Sequence, residues 1–286
     1  MPENDPRDPA AVWDRIAPWW ADQIGEGNDF QRRLIMPATD RLLAPVAGLR
    51  VLDVACGNGN YARRLGRAGC RVLAVDASPN FLAAARARTT PDDGAIEYRL
   101  CDATDGAAVR ALGGAIPEGL SEPNGPAPDA AGTSVTHPFD AAVCSMAVMD
   151  LPAVDPLFRG VRALLPPGGR FVFSVSHPCF NSNGTRMTAE LANEGGQARQ
   201  VYGVAVTRYA AETTDLAHGI LNQPEPHYTY HRPLATLFAA AFAAGFVVDG
   251  FEEPAFPPGV GAKSPFSWAK RPDLPPACVV RLRRGE

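Results

Sequence analysis

The segment 51–62, VLDVACGNGNYA, constrains the fold more than any other part of the chain. A short apolar run ends there, Gly57 and Gly59 follow, and a helical pattern begins directly after them. Glycine lets the backbone turn tightly and approach a ligand closely, so this order predicts a strand, a ligand-binding turn and a helix. Because residues 57–62 also have the spacing G-x-G-x-x-A, a dinucleotide site is a second interpretation.

The same alternation of apolar strands and helical stretches continues along the chain. Apolar runs that predict strands lie at 51–55, 71–75, 96–101, 139–145, 170–176, 246–251 and 278–282. Helical patterns lie at 61–68, 79–88, 154–165 and 234–244. Strands that alternate with helices form a parallel sheet, whereas the last two strands have no clear helix between them and favour an antiparallel pair. The sequence therefore predicts an α/β fold with seven strands, mostly parallel, helices on both faces and an antiparallel last strand.

The length of 286 residues is compatible with one large domain. A polar segment with several tyrosines leaves the carboxyl end of the fifth strand, where open α/β sheets bind ligands, so we expect a lid or substrate insert. A Gly- and Pro-rich stretch at 113–138 predicts a surface loop. We expect a single domain over 1–286, divided into a helical cover (10–45), a cofactor-binding core (46–179), the insert (180–232) and a C-terminal helix with a strand hairpin (233–286).

The charge balance and the cysteines limit the possible partners and locations. A net charge of −4 provides no positive field for a nucleic-acid backbone. The sequence contains no run of 18 apolar residues, so we expect no membrane partner. The six cysteines form no C-x-x-C pair, which is typical of reduced thiols in a cytoplasmic protein. The oligomeric state stays open.

Two aspartates decide between the ligands that such a turn could bind. Asp76 ends the second strand, 19 residues after Gly57, where a carboxylate can accept hydrogen bonds from ribose hydroxyls. Asp53 ends the first strand beside the turn, where it would repel the pyrophosphate of a dinucleotide. S-adenosylmethionine has no phosphate and carries an ammonium and a sulfonium, so Asp53 favours this cofactor.

At these residues the sequence resembles the class I, Rossmann-like S-adenosylmethionine-dependent methyltransferases of small-molecule type. Their first motif reads acidic-x-G-x-G-x-G, and here Ala55 replaces its first glycine. Since alanine adds only a methyl group, we expect a slightly tighter turn with binding retained. The resemblance implies that S-adenosyl-L-methionine, and S-adenosyl-L-homocysteine as product, contact Asp53, Ala55, Cys56, Gly57, Gly59, Asp76, Ala77, Ser78, Asp102, Ala103, Ser145 and Met146.

An aromatic helix near the N-terminus resembles a second element of that family. The block 12–20 is similar to the Tyr-Asp-x-x-Ala-x-x-Tyr helix of many small-molecule methyltransferases, with tryptophan in place of tyrosine. The resemblance implies that Trp20 closes over the methionine end of the cofactor, where it could face the sulfonium. The alternative is that the tryptophans of this helix only bury its apolar face.

Two histidines are candidates for a general base. His177 ends the fifth strand and His231 precedes the helix at 234–244, and either could deprotonate an acceptor near neutral pH. In the alternative interpretation each of them hydrogen-bonds a backbone turn beside its proline. The remaining histidines, at 137, 218 and 227, are expected to be solvated on loops. No spacing of these residues supports a metal site.

The sequence thus predicts transfer of a methyl group to an O, N or C atom of a small, partly apolar or aromatic metabolite. Met146, Met149 and Phe180 suggest an apolar pocket wall. Two alternatives stay open: a protein of the same fold that binds S-adenosylmethionine without transferring its methyl group, and a nicotinamide-dependent oxidoreductase.

Overall fold

A computed structural model describes residues 8–114, 137–262 and 264–286, so most of the loop expected at 113–138 lies outside the described residues. The strands are β1 (Arg50–Val54), β2 (Arg71–Asp76), β3 (Ile96–Leu100), β4 (Ala141–Ser145), β5 (Arg170–Ser176), β6 (Thr185–Glu194), β7 (Gln197–Val206), β8 (Thr213–Ala217), β9 (His227–His231), β10 (Phe246–Glu252) and β11 (Ala277–Arg284). The α-helices are α1 (Pro9–Ile24), α2 (Met36–Leu43), α3 (Asn60–Arg67), α4 (Pro79–Arg88), α5 (Gly106–Ala111), α6 (Asp155–Leu164) and α7 (Leu234–Ala243). Within the part of the chain that the structure describes, no helix is long and apolar enough to cross a bilayer.

Seven strands form the central sheet in the order β10-β11-β5-β4-β1-β2-β3. Neighbouring strands from β5 to β3 are parallel, and β11 runs antiparallel to both β5 and β10. The predicted fold class is therefore confirmed. The strand order reverses between β1 and β4, and the crevice at such a reversal is where doubly wound sheets bind their ligands.

The five central strands of the sheet are buried on both faces, which explains why they read as continuous apolar runs, whereas the edge strands β3 and β10 are partly exposed. On one face Leu52 and Val54 of β1 pack in a cluster with Phe158 of α6 and Phe173 of β5. On the other face Val51 packs in a cluster that includes helix α3 and helix α2. Because β1 lies at the centre of both clusters, the turn that follows it is held rigidly in place.

Helix α1 covers the carboxyl edge of the sheet and is hydrogen-bonded to the turns after β1 and β2. Asp14 of α1 accepts hydrogen bonds from Ser78 Oγ at 2.6 Å and from the Asn80 backbone N–H at 2.9 Å. Asn58 donates from Nδ2 to the carbonyls of Ala21 and Gly25, at 3.3 and 2.9 Å. The second helix differs from a regular α-helix, because a π-helical turn at Gln31–Ile35 leads directly into α2.

The insert at 180–232 folds into two antiparallel hairpins that the sequence did not predict as strands. β6 pairs with β7 over ten residue pairs, and β8 pairs with β9 over five. Arg271, which is only 2% exposed, anchors the first hairpin by donating to the carbonyls of Gly203 at 2.9 Å and Thr188 at 2.7 Å. β7 is largely exposed, so it lacks the apolar stripe that would have marked it as a strand.

Close packing around α3 predicts that alanine at Gly66 destabilises the protein, although helix propensity alone would predict stabilisation. A Cβ on Gly66 would lie 2.0 Å from the carbonyl oxygen of Asp93. We expect Gly66→Ala to lower the free energy of unfolding by about 1–3 kcal/mol through overpacking, although alanine is favoured over glycine in helices by about 1 kcal/mol. Urea denaturation followed by circular dichroism measures the change.

Gly114→Ala is the matched control, because its Cβ would lie within 4 Å of no atom of the described residues. The control should change stability by less than about 0.5 kcal/mol. A Gly66→Ala protein as stable as the wild type would contradict the close contact.

Candidate functional site

A cavity of about 510 Å³ opens at the reversal of strand order, beneath helix α1. The turns after β1, β2, β3 and β4 form its floor, because the carboxyl ends of parallel strands meet at one edge of the sheet. Twelve of the thirteen predicted cofactor contacts line it: Trp20, Asp53, Ala55, Cys56, Gly57, Asp76, Ala77, Ser78, Asp102, Ala103, Ser145 and Met146.

The turn after β1 adopts left-handed backbone conformations at Ala55, Gly57 and Gly59, with φ of 54°, 54° and 75°. A Cβ on Gly57 would meet no atom within 4 Å, so this glycine leaves room for a ligand. Gly59 does not line the cavity. A Cβ at this position would lie 2.4 Å from Tyr98 Oη, so the lack of a side chain on Gly59 lets Tyr98 pack closely against the turn. Ala55 adopts a conformation that costs a non-glycine residue about 1–2 kcal/mol.

Asp76 shapes this turn as well as facing the cavity. Its Oδ2 accepts a hydrogen bond from the Gly57 N–H at 2.8 Å, and its Oδ1 accepts one from the Ser78 N–H at 2.9 Å. Burial raises the pKa of Asp76 to about 6, while these backbone N–H groups act in the opposite direction. The carboxylate therefore joins the turns after β1 and β2.

Asp53 is the most unusual polar group of the cavity. Its side chain lies at the end of β1 and is 1% exposed, and its Oδ2 has no hydrogen-bond partner among the described residues. Burial, with the nearby charge of Asp76, raises the pKa of Asp53 to about 8. A buried carboxylate without a partner is costly, and a cationic ligand would relieve this cost whereas a phosphate would increase it.

The turns after β3 and β4 complete the floor. Asp102 is exposed, and its Oδ1 accepts from the backbone N–H and the hydroxyl of Thr104, both at 2.8 Å. Asp105, not Asp102, caps α5. Met146 has a φ of 57°, and its N–H donates to the carbonyl of Ser174 at 3.1 Å and to the hydroxyl of Ser174 at 2.9 Å. Such strained backbone is concentrated at functional sites.

Three aromatic rings form the opposite wall. The Trp13 and Trp20 ring centroids are 5.5 Å apart, and Trp13 stacks on His227 at 4.4 Å. Trp20 lines the cavity, and its Nε1 is buried without a hydrogen-bond partner in the described part of the chain. Trp13 and Trp20 of α1 therefore face a ligand space as well as the core.

The two predicted candidate bases lie away from this cavity. Nδ1 of His177 accepts from the Cys179 N–H at 3.1 Å, which leaves the proton on Nε2 to donate to Glu253 at 2.8 Å. Burial lowers the pKa of His177. Nε2 of His231 donates to the carbonyl of Tyr209 at 2.8 Å. The geometry favours the alternative interpretation for His177, in which the ring stabilises its own turn.

The structure brings two other residues, Asp150 and His227, to the cavity. The expectation that His227 is solvated is wrong, because this residue begins β9 and is 6% exposed. Its Nε2 lies 3.7 Å from Asp150 Oδ1. The alternation of His227, Thr229 and His231 along 227–231 is the sequence signal that could have placed both histidines on one buried strand face.

Comparison with known proteins gives consistent findings. Residues 28–247 match a family model described as a methyltransferase domain. The chain is 29% identical over 129 residues to a ubiquinone biosynthesis O-methyltransferase of Xanthomonas axonopodis pv. citri, which covers 45% of this chain and 44% of the relative. It is 43% identical over 82 residues to a demethylmenaquinone methyltransferase of Clavibacter sepedonicus, 29% of this chain and 32% of the relative. The chain thus spans less than half the length of these curated relatives.

A solved structure matches over far more of the chain. The S-adenosylmethionine-dependent methyltransferase from Mesorhizobium loti superposes with a TM-score of 0.61 at 27% sequence identity. The match covers 87% of this chain and 96% of that one.

The raised pKa of Asp53 predicts that a cationic ligand releases a proton on binding. At pH 7 a group with a pKa of about 8 is protonated in about nine of ten molecules, and a positive charge beside it lowers that pKa. We expect binding of S-adenosyl-L-homocysteine, which carries an ammonium, to release roughly one proton at pH 7 and to tighten as pH rises towards 8. Calorimetry in buffers of different ionisation enthalpy measures this release.

Asp53→Asn should bind with no such release, whereas Asp102→Asn, at an exposed carboxylate of the same cavity, should retain it. Equal proton release by the wild type and Asp53→Asn would show that Asp53 does not face the charged part of the ligand.

Proposed function

The chain belongs to the class I S-adenosylmethionine-dependent methyltransferases, and from this premise we propose which residues hold the cofactor and which acceptors it methylates. We propose a small, partly apolar or aromatic metabolite as acceptor, methylated at an O, N or C atom. The unpaired, buried carboxylate of Asp53 supports the cofactor assignment most directly, since it needs a positive charge that a dinucleotide would not bring.

In this proposal, different residues of the cavity bind different parts of the cofactor. Asp53 would face its cationic part, Gly57 would allow close approach of the backbone, and Asp76 would accept from the ribose hydroxyls. Asp102 and Ala103 would meet the adenine, and Ser145 and Met146 would line the cleft through their backbone. The bound cofactor supplies an electrophilic methyl group on a positively charged sulfur.

The protein contributes orientation and exclusion of water. Helix α1 is held over the cavity by Asp14 and Asn58, and the insert at 180–232 adds Gly219, Ile220 and His227 to its walls. We propose that the insert acts as the lid of a single methyltransferase domain. Holding acceptor and methyl group in line within a closed site lowers the barrier without a metal.

The apolar and aromatic part of the cavity supports the acceptor class. Trp13, Trp20, Met149 and Ile220 line it beside the polar groups of the floor. The two curated relatives are named for ubiquinone biosynthesis and for demethylmenaquinone, so acceptors with an aromatic or quinone-type ring are the first to assay. Exclusion of nucleic acid and a cytoplasmic location stay predictions; all six cysteines are free thiols, which is compatible with that location.

Asp76→Ala tests the cofactor site. Each hydrogen bond from a ribose hydroxyl to the Asp76 carboxylate contributes about 1.5–3 kcal/mol to binding. We therefore expect the Asp76→Ala protein to bind S-adenosyl-L-homocysteine at least about 10-fold more weakly. Calorimetry measures the affinity, and Asp105→Ala, at the exposed cap of α5, is the control that should bind normally.

A titration of the wild type with NADH in parallel separates the oxidoreductase alternative. Tighter binding of NADH than of S-adenosylmethionine would overturn the proposed function. A protein that binds the cofactor, yet forms no S-adenosyl-L-homocysteine with any ring hydroxyl, amine or activated carbon acceptor, would instead support the alternative of a binding protein.

A further inference from the structure

A second cavity of about 290 Å³ lies next to the first, between the central sheet and the insert. The two cavities share wall residues, among them Met149, Asp150, Asn181, Gly219 and His227. The second cavity extends from this common wall to β8 and β9 of the insert. Its volume is near the lower end of the range for small-molecule sites, about 300–1,000 Å³.

Asp150 lies in the common wall with an unsatisfied acid group. It ends the 3₁₀ turn that follows β4, and its Oδ1 is buried with no hydrogen-bond partner among the described residues. Burial raises the pKa of Asp150 well above its usual range, so its carboxylate binds a proton more strongly than an exposed one. Arg232 donates to the carbonyls of Leu151 and Pro152, at 2.7 and 2.8 Å, which fixes the chain beside this carboxyl group.

His227 is held so that it presents an N–H to Asp150. Gln223 accepts from the Gly219 N–H through its Oε1 at 3.0 Å, so its Nε2 is the donor that faces His227 Nδ1 at 3.0 Å. The proton of the neutral ring must then be on Nε2, which lies 3.7 Å from Asp150 Oδ1. Burial lowers the pKa of His227 to about 4, so the ring is neutral at physiological pH.

The second cavity has one further polar group without a hydrogen-bond partner among the described residues. Ser182 lines it, and the hydroxyl of Ser182 is buried without a hydrogen-bond partner in the described part of the chain. Asn183, in contrast, is satisfied by Thr213 and Thr229. Buried polar groups without partners are rare in folded proteins, and a bound ligand with hydroxyl groups would pair with both Ser182 and Asp150.

We propose that this second cavity is the acceptor subsite, that the acceptor is a hydroxyl compound, and that Asp150 is the general base that takes its proton. The inference rests on the proposed methyl transfer. In the step, the acceptor oxygen forms a bond to the methyl carbon, the carbon–sulfur bond pair leaves with the sulfur, and the hydroxyl proton passes to the Asp150 carboxylate. His227 is a positioning residue, whose Nε2–H faces that carboxylate at 3.7 Å without a direct hydrogen bond and adds a fixed dipole beside it.

The first experiment separates binding from proton transfer. Catechol serves as the probe, with S-adenosyl-L-homocysteine formation as the activity and calorimetry on the S-adenosyl-L-homocysteine-loaded protein as the binding measurement. We expect Asp150→Asn to lower kcat at least about 100-fold, the smallest effect typical of a lost general base, while KM for catechol changes by only a few fold. Asp155→Asn, at the exposed start of α6, is the control and should match the wild type.

The second experiment tests the subsite by binding alone. Ala217 lines the second cavity, and its neighbour on β8, Leu216, is 58% exposed. We expect Ala217→Phe to weaken catechol binding to the loaded protein at least about 10-fold and to leave S-adenosyl-L-homocysteine affinity unchanged. Leu216→Phe, the same new side chain on the outer face, should leave both unchanged.

The third experiment tests the positioning role of His227 spectroscopically. Long-range ¹H–¹⁵N correlation on the loaded protein should show the neutral tautomer with the proton on Nε2 at pH 7. Gln223→Ala should mix the two tautomers and lower kcat more than it changes KM. An imidazolium, or a proton on Nδ1 in the wild type, would overturn this role.

The outcomes distinguish the inference from the proposed function. Full activity of Asp150→Asn, or catechol binding unaffected by Ala217→Phe, overturns the inference while methyl transfer itself stands. Failure of catechol to bind the loaded wild type also overturns it. A third outcome is that catechol binds to the wild type, that Ala217→Phe prevents this binding, and that the wild type nevertheless transfers no methyl group to catechol. The subsite is then supported, but the base role of Asp150 and the proposed function both fail for this acceptor.

Discussion

The site depends on two carboxylates, Asp53 and Asp76, that are buried at the ends of adjacent parallel strands. The register that pairs Val54 with Val75 carries both strands to the same edge of the sheet, and the apolar clusters on both faces fix that register. Asp76 is compensated by backbone N–H groups of the neighbouring turns, whereas Asp53 is not. The packed sheet thus holds in place a buried acid group that is mostly protonated by itself and whose ionised form a cationic ligand would stabilise.

The cover over these carboxylates is built from residues far apart in the sequence. Asp14 of α1 accepts hydrogen bonds from Ser78 and from the first turn of α4. Asn58 of the glycine turn donates a hydrogen bond to Ala21, near the end of α1. The residues that close the cavity are therefore attached to the turns that would hold the cofactor. Opening the cover would break these hydrogen bonds and would also expose apolar side chains of α1, since Val12, Ile16 and Ala17 are buried.

The central sheet and the glycine turn could be predicted because each has a strong local signal. Buried parallel strands read as apolar runs, and the acidic residues at their ends follow at fixed positions. The insert could not be predicted in the same way, since β7 is largely exposed and no residue of β8 is fully buried. The wrong expectation that His227 is solvated has the same origin. The sequence does not predict the strand β9, and a histidine between prolines and tyrosines is typical of a loop. His177 carried the stronger sequence signal, at the end of a core strand, yet local hydrogen bonds with Cys179 and Glu253 occupy both of its ring nitrogens.

In the proposed arrangement, the buried acids allow two adjoining cavities to serve a cationic cofactor and a neutral acceptor. Burial raises the pKa of Asp53, Asp76 and Asp150, so the protein alone tends to keep these groups uncharged. A positively charged cofactor would favour their ionised forms, which would make Asp150 able to accept a proton in the proposed reaction. Once the positive charge on the sulfur is lost, a neutral, protonated Asp150 would be the favoured state. In this arrangement the loss of charge on the cofactor and the uptake of the acceptor's proton favour each other, and no charge is left uncompensated in the closed site.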